Sequence, residues 1–262
     1  MKKILLVAVM LVLAVGLVAC GGGTVDNADG NADGNEGRVL VMATNAEFEP
    51  FEYLDESGQP TGFDVDLFQA LCEQMGATAK VEDMLFDAVV IAVQEGKADM
   101  GLAGLSIEPD RLKEVNFSDY YYTAGQAIIV MKEGSTVASV ADLDGKSIGV
   151  QLGTTSDTCA SKGDYGNLDV QQYNKNADAI QDLINGRVDA VIMDNHTAKA
   201  FSERNDQVAV LDELLTEESY AIAIAKGNEA LLEEVNQALA ALKENGILQS
   251  LIDKYNLGAE QE

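Results

Sequence analysis

The sequence predicts an α/β protein of two similarly built lobes. A unit made of a helix, a glycine, a basic residue, an aspartate and an apolar strand occurs at 87–103 and again at 178–194. A repeated helix–strand unit indicates that two parts of the chain share one architecture. The 262 residues are enough for one large domain or two small ones. Chance similarity between two ordinary helix–strand junctions is the alternative.

Apolar spacing and turn residues predict the elements of the first half in order. A helix begins with Asp64 as its cap, continues with apolar residues at i, i+3, i+4 and i+7, and ends at Gly76. Pro50 makes 45–51 an irregular loop. The other predicted elements are a strand at 39–44, a hairpin of 51–54 with 62–63, a strand from 81 to 86, a helix at 87–95 and a strand at 100–103.

The second half follows the same logic and ends in an amphipathic helix at 229–245, which stops at Gly246. The other predicted elements are strands at 127–131, 147–150, 190–194, 208–211 and 220–225, and helices from 155, at 178–185, at 197–205 and at 248–254.

The N-terminus predicts export and lipid attachment. Lys2 and Lys3 precede a stretch at 4–18 that is almost wholly apolar and too short for a spanning helix. It ends in Leu-Val-Ala-Cys20, which resembles a bacterial lipobox. We therefore expect a lipoprotein signal peptide at 1–19 and an extracytoplasmic protein, anchored to the cell membrane by a lipid on Cys20. An uncleaved membrane anchor with a chance cysteine is the alternative.

Residues 20–37 form a Gly-rich, acidic segment that repeats Asn-Ala-Asp-Gly, and this composition predicts a flexible linker. Asp29, Asn31, Asp33 and Gly34 match the start of a calcium loop. Leu40 stands where such a loop needs a glutamate, however, so we expect no metal site there.

Charge and cysteine content exclude several classes of function. The net charge of −27 disfavours nucleic acid as a partner. With Cys20 lipidated, Cys72 and Cys159 are too few and too far apart for a disulfide framework, and Cys72 falls on the apolar face of a helix. His196 is the one histidine, so we expect no metal site and no cofactor.

Two stretches could hold a small anion. Ser106 and Arg111 follow the strand at 100–103, and an arginine fork fits a carboxylate with two parallel hydrogen bonds. The alternative is a surface loop in which Arg111 pairs with Glu108 or Asp110. The turn before Thr155 opens a helix whose first amides lack partners. Simple capping by a threonine is the alternative there.

Eight blocks of sequence resemble the amino-acid-binding proteins of bacterial ABC importers, the family of the glutamine-, histidine- and lysine/arginine/ornithine-binding proteins. They occur in the family's order and are spread over nearly all of 39–257. The blocks are at 43–52, 62–67, 103–107, 111, 115–122, 142–146, 153–155 and 190–194.

The resemblance implies a type II periplasmic-binding-protein fold. Two α/β lobes would be joined by two crossover strands, near 122–127 and 216–220, with the ligand enclosed between them by hinge closure. Lobe 1 would comprise 38–121 plus 218–262, and lobe 2 would comprise 127–216.

The resemblance also assigns roles to residues. It places the ligand carboxylate on Arg111, Ser106 and the helix start at Thr155, and the α-ammonium on Asp194. The remaining contacts it implies are the backbone of Ala103 and Gly104 beside the ligand, and Phe48 and Phe86 flanking its side chain.

Two positions depart from the family and bear on the side chain of the ligand. Asn45 stands where many relatives have aspartate, and Gln151 stands where the glutamine binders have lysine. We therefore expect a polar ligand that is neutral or cationic, such as glutamine or arginine. Glu47 either meets a cationic ligand or faces solvent.

The function expected is a receptor, not an enzyme, that acts as a monomer and delivers a polar L-amino acid to the permease of an ABC importer. The main alternative is an enzyme, since the same fold resembles cyclohexadienyl dehydratase. Asp194 or Glu47 would then supply the general acid. A sensory module that reports its ligand to a separate partner is a third hypothesis.

Overall fold

A computed structural model describes residues 37–258. The predicted signal peptide at 1–19, Cys20 and all of the linker at 20–37 except its last residue lie outside the described residues. Within 37–258 no helix is long and apolar enough to cross a membrane.

The described chain contains strands and helices in mixed order. The strands are β1 (Val39–Thr44), β2 (Glu47–Phe48), β3 (Glu52–Leu54), β4 (Pro60–Thr61), β5 (Thr78–Asp83), β6 (Met100–Gly101), β7 (Val115–Phe117), β8 (Tyr122–Ala124), β9 (Gln126–Met131), β10 (Ser147–Gln151), β11 (Asp169–Tyr173), β12 (Ala190–Asp194), β13 (Val208–Leu214), β14 (Glu218–Tyr220) and β15 (Ala223–Ala225). The helices are α1 (Phe63–Gln74), α2 (Phe86–Gln94), α3 (Arg111–Glu114), α4 (Thr155–Lys162), α5 (Asn176–Ile184), α6 (Asn195–Arg204), α7 (Glu229–Glu244) and α8 (Ile247–Lys254), with a short 3-10 turn at Val140–Asp142.

The first lobe is built on a five-stranded sheet in the order β5-β1-β6-β15-β7. β1 runs parallel to both β5 and β6, and β15 runs antiparallel to β6 and β7. Because side chains alternate across a strand, Met42 faces the core under α1, α7 and α8, whereas Ala43 faces the core under α2. Both faces of the sheet are therefore buried.

The second lobe repeats this plan with a sheet in the order β11-β10-β12-β9-β13. β10 is parallel to β11 and β12, and β9 is antiparallel to β12 and β13. Ile129 packs on the face that carries α5 and α6, and Ile128 packs on the face that carries α4.

The repeated unit of the sequence has one structural role in both lobes. Asp99 accepts a hydrogen bond from the amide of Val41 at 2.7 Å, and Asp189 accepts one from the amide of Ser147 at 2.9 Å. Each aspartate thus ties its own strand to the neighbouring parallel strand, which explains why helix, glycine and aspartate recur together.

Two strands cross between the lobes. β8 lies between the sheets in chain order, β14 lies on the return path, and the two pair antiparallel. A Cβ on Gly125, directly after β8, would lie 2.3 Å from the carbonyl oxygen of Thr216 on the other crossing. Only glycine allows the crossings to approach so closely. The fold is the predicted two-lobed α/β fold of type II, in which these two strands connect the lobes.

The predicted cap of α1 was wrong. Gly62 holds the cap position with φ 125°, and a Cβ there would lie 2.2 Å from the carbonyl oxygen of Phe51. Asp64 makes no capping bond and is fully buried. A buried carboxylate bonded to groups from other elements replaces the local cap that the sequence suggested.

Several element boundaries also differ from the prediction. β5 begins at Thr78, because its half-buried edge position leaves polar residues inside the strand. β6 ends at Gly101, and the strand predicted at 220–225 is divided into β14 and β15, which belong to different sheets. The hairpin partner of β3 is Pro60–Thr61. The sequence missed β2, β7, β11 and α3. Cys72 is a buried free thiol, as predicted.

Candidate functional site

Several predicted site residues lie at the carboxyl ends of parallel strands. Gly104, Ser106 and Arg111 follow β6, Thr155 follows β10, and Asp194 ends β12. Parallel strands place these ends at one edge of each sheet, where α/β proteins bind ligands. Contacts between the two lobes occur along these edges, so the edges face each other across a cleft.

Arg111 lies in this cleft with its residue only 8% exposed. Its Nη1 donates to the carbonyl oxygen of Ser106 at 2.9 Å, and its Nη2 donates to that of Gly153, in the other lobe, at 3.2 Å. Burial lowers the pKa of the guanidinium, and nearby acids oppose the shift. The group stays protonated at neutral pH and supplies a planar positive fork that reaches both lobes.

Of the two predicted alternative partners of Arg111, Glu108 forms a long ion pair with it and Asp110 does not. Asp110 pairs instead with Lys113 at 2.5 Å, and Glu108 lies 3.8 Å from the Nε atom. The guanidinium also lies over the ring of Phe86, 5.5 Å from its centroid. Two of its N–H groups therefore bond to neutral carbonyl oxygens, which a carboxylate could displace.

Asp194 brings the opposite charge into the same cleft. Its Oδ1 accepts from Gln126 Nε2 at 2.8 Å, and its Oδ2 accepts from the Tyr220 hydroxyl. Burial, and then the charge of Glu218, raise the pKa of Asp194 above its usual range. Two hydrogen bonds and the charge of Arg111 act in the opposite direction. A bound cation would stabilise the ionised form further.

Glu218 is a buried acid of the cleft that the sequence prediction missed. Ser106 Oγ donates to its Oε2, and Thr216 Oγ1 donates to its Oε1 at 2.7 Å. Glu218 and Tyr220 are buried on β14, whereas Ser219 between them is only half-buried. This alternation could have identified Glu218 once the crossing strand was recognised.

Thr155 is the first residue of α4, but the residue that caps this helix is Thr154. Thr154 Oγ1 accepts from the amide of Asp157 at 3.2 Å, which satisfies one of the free amides of the helix. Gly153, with φ 77°, faces Asp87 of the first lobe, and a Cβ on it would lie 3.3 Å from that side chain. The turn therefore both caps a helix and meets the other lobe.

Phe48 and Gly104 lie in direct contact. Gly104 has φ 54°, and a Cβ there would lie 2.6 Å from Cε1 of Phe48. Phe48 and Ala103 are buried, and Phe86 is half-buried at the start of α2. The backbone at 103–104 and the ring of Phe48 thus form one packed wall, and the ring of Phe86 lies against Arg111.

An amide cluster joins the lobes beside this wall. Gln151 Nε2 donates to Asn45 Oδ1 at 2.9 Å and to the carbonyl oxygen of Asn174 at 3.1 Å. Asn176 Nδ2 donates to Gln151 Oε1 at 3.0 Å, and Asn45 Nδ2 donates to the carbonyl oxygen of Met84 at 2.8 Å. The two positions that the sequence singled out as unusual are hydrogen-bonded to each other.

The sequence profile described as "Bacterial extracellular solute-binding proteins, family 3" matches residues 40–258. This chain belongs to that family. As a family 3 protein it is an extracytoplasmic amino-acid-binding protein of ABC transport.

Named relatives and solved structures agree with this family. The arginine-binding extracellular protein ArtP of Bacillus subtilis is 34% identical, over 98% of this chain and 99% of its own length. A probable histidine-binding protein of Neisseria gonorrhoeae is 35% identical, over 97% of this chain and 96% of its own. Structures of an ancestral arginine-binding protein, one bound to glutamine and one to arginine, are 40% identical with a TM-score of 0.78, and cover 83% of this chain and 97% of theirs. These relatives are binding proteins, and the family 3 chain is likewise not an enzyme.

The structure brings most of the predicted residues of this family 3 protein together and gives Glu47 another partner. Lys175 Nζ, from the second lobe, pairs with Glu47 Oε1. Arg204 and Glu49 form a second ion pair between the lobes at 2.5 Å. Glu47 therefore takes part in contact between the lobes.

The sequence analysis missed three residues that support the cleft, Gln126, Asn176 and Tyr220. Only the tertiary fold places them beside Asp194 or Gln151.

Proposed function

We propose that this protein is the lipid-anchored receptor subunit of an ABC importer and carries a polar L-amino acid, with glutamine or a cationic amino acid such as arginine favoured. The observation that carries the proposal is the burial of Arg111 and Asp194 in one cleft, at 8% and 7% exposure. A zwitterion needs a cationic fork for its carboxylate and an anion for its ammonium, both shielded from water.

The proposed roles follow the chemistry of each group. Arg111 exchanges its two carbonyl partners for the ligand carboxylate, assisted by Ser106 and the first turn of α4 at Thr155. Asp194 receives the α-ammonium beside the backbone of Ala103 and Gly104. Phe48 and Phe86 flank the aliphatic part of the ligand side chain.

The amide cluster supports the choice of ligand. Asn45 and Gln151 offer both carbonyl oxygens and N–H groups, which can bond either to the amide of glutamine or to the guanidinium of arginine. Asn45 lacks the charge that would favour a cation, and Glu47 already pairs with Lys175. The names of the relatives include arginine and histidine binders, and both glutamine and arginine occupy the ancestral protein.

Hinge closure would complete the site. Two hydrogen bonds that span the lobes, from Gln151 to Asn45 and from Arg111 to Gly153, support this proposal. We propose that lobe 1 comprises 38–121 plus 218–262 and lobe 2 comprises 127–216. These boundaries leave β8 between the lobes and put β14 where the chain re-enters lobe 1, and the pairing of the two strands supports the ribbon as the hinge.

The remaining proposals concern location and partners. Cleavage after residue 19, lipidation of Cys20 and the linker at 20–37 would hold a monomeric receptor at the outer face of the cell membrane, within reach of its permease. Replacement of Cys20 with alanine is expected to abolish labelling by a fatty-acid probe and association with membranes. Unchanged labelling would contradict the lipoprotein assignment.

A thermal-shift screen of the purified protein against all common amino acids, confirmed by calorimetry, tests the ligand. A ligand at one hundred times its dissociation constant stabilises the folded protein by about 2.7 kcal/mol. For a protein of this size that is a rise of about 5–10 °C in the unfolding midpoint. We expect this rise with glutamine, arginine or both. A flat response across the set would refute the proposal.

A further inference from the structure

Two carboxyl groups are fully buried, and one of them accepts a hydrogen bond from the amide of Gly104. Glu52, on β3, and Asp64, in the first turn of α1, are both 0% exposed. The two side chains are within hydrogen-bonding range of each other. Such a pair is costly to bury unless it serves the surrounding structure.

Asp64 holds the loop that contains Gly104. Its Oδ2 accepts from the amide of Gly104 at 3.0 Å and from the hydroxyl of Tyr121 at 2.8 Å. Gly104 has a left-handed backbone with φ 54° and lies against the ring of Phe48. The position of this one amide therefore fixes both the backbone and an aromatic wall of the cleft.

A protonated Glu52 would supply a third hydrogen bond to Asp64. Oδ1 of Asp64 and both oxygens of Glu52 are buried without a hydrogen-bond donor of their own among the described N–H and O–H groups. Two adjacent buried carboxyls cannot both be ionised. Burial, and then the charge of Asp64, raise the pKa of Glu52 well above its usual range, so Glu52 keeps the proton.

We propose that Glu52 and Asp64 share one proton and position the Gly104 amide and Phe48 for the amino acid, so both are positioning residues of the binding site. The inference rests on the proposed function and extends it to residues that do not touch the ligand.

The dependence of ligand affinity on pH, on the acid side of neutrality, should report this arrangement. Burial raises the pKa of Asp64 to about 6, against the hydrogen bonds from Gly104, Tyr121 and Glu52. Tyr121 stays protonated, since burial raises its pKa, and Asp83 and Asp194 act on Glu52 through their charges. Below pH 6 Asp64 becomes neutral, and its bond to the Gly104 amide loses the assistance of charge.

The test compares Asp64→Asn with the unaltered protein by calorimetry at pH 8 and pH 5, with L-arginine and then L-glutamine as the probe. At pH 8 the variant should bind about tenfold more weakly, because a neutral amide replaces a charged acceptor. At pH 5 the ratio of the two dissociation constants should approach one, because Asp64 is then neutral as well. The titration of Asp194 affects both proteins and cancels in the ratio.

Asp66→Asn is the matched control. Asp66 lies two residues further along α1 and accepts from Lys254 and Tyr255 of the same lobe. Its replacement should change the unfolding midpoint but leave affinity unchanged at both pH values.

A second pair of variants keeps the test decisive if Asp64→Asn fails to fold. Glu52→Gln retains an N–H donor to Asp64 and should keep affinity within about twofold, whereas Glu52→Ala removes the donor and should weaken binding several-fold. Equal affinities for these two variants would overturn the proposal. An Asp64→Asn ratio that is the same at both pH values, whether one or ten, would also overturn it. If the unaltered protein binds neither these probes nor any other amino acid, the proposed function fails and this inference fails with it.

Discussion

Replacement of Arg111 with alanine tests the centre of the proposed site. The guanidinium is nearly inaccessible, and its Nη1 and Nη2 atoms lie 2.9 and 3.2 Å from carbonyl oxygens that a ligand carboxylate would replace. Hydrogen bonds to charged groups contribute about 1.5–3 kcal/mol each. Two such bonds correspond to about 3–6 kcal/mol, and each 1.4 kcal/mol or so is tenfold in affinity. We therefore expect affinity to fall by about 10²- to 10⁴-fold.

Calorimetry with arginine or glutamine measures this loss directly. The affinity of Arg111→Lys should lie between those of Arg111→Ala and the unaltered protein, because lysine keeps the charge but loses the bidentate fork. Arg187→Ala is the control, since that side chain is 69% exposed and pairs with Asp182 on the surface of the second lobe. It should leave affinity unchanged.

The reasoning would be refuted if Arg111→Ala bound its ligand within about tenfold of the unaltered protein while remaining folded. Such a result would mean that backbone amides alone hold the carboxylate. A loss that appeared equally with a ligand lacking the α-carboxylate would instead show that Arg111 supports closure of the lobes.

Three further predictions concern other parts of the molecule. Asp194→Asn should weaken amino acids far more than their deaminated analogues, and an equal loss would reject its role with the ammonium. Because burial raises the pKa of Asp194 and binding requires its ionised form, affinity should fall as the pH drops through that raised pKa. In calorimetric titrations between pH 5 and 8, the Asn variant should lack this pH dependence. Asn45→Asp should shift the preference toward arginine over glutamine by about tenfold, the effect of one buried charge-assisted contact. If competition calorimetry shows no shift, Asn45 lies outside the specificity pocket. Gly125→Ala should lower the free energy of unfolding by about 1–3 kcal/mol in denaturant titrations, because its Cβ would lie 2.3 Å from the carbonyl oxygen of Thr216. An unchanged unfolding midpoint would mean that the two crossings can move apart without loss of stability.

The sequence predicted the repeated units correctly because their cause is local. Helix spacing, a glycine stop and an aspartate that bonds the adjacent strand are all contained in one short segment, as Asp99 and Asp189 illustrate. The fold class followed from the resemblance of blocks spread along the chain.

Asp64 illustrates what could not be predicted. An aspartate before an apolar helix has the pattern of a cap, and the local sequence gives no sign that residues from three distant elements surround it. Glu218 and Gln126 were missed for the same reason, since their partners Ser106 and Asp194 are remote in the chain. Binding residues that contact a ligand leave short motifs, whereas those that position other residues depend on the assembled fold.

The place of β15 in the first sheet has a consequence for synthesis of the chain. β15 lies between β6 and β7, so this sheet lacks an interior strand until residue 225 has left the ribosome. The second sheet, by contrast, comes from one continuous segment, β9 to β13, and can be complete earlier. A truncated chain that ends before β15 would therefore retain a foldable second lobe beside a divided first one, and the cleft between them would form last.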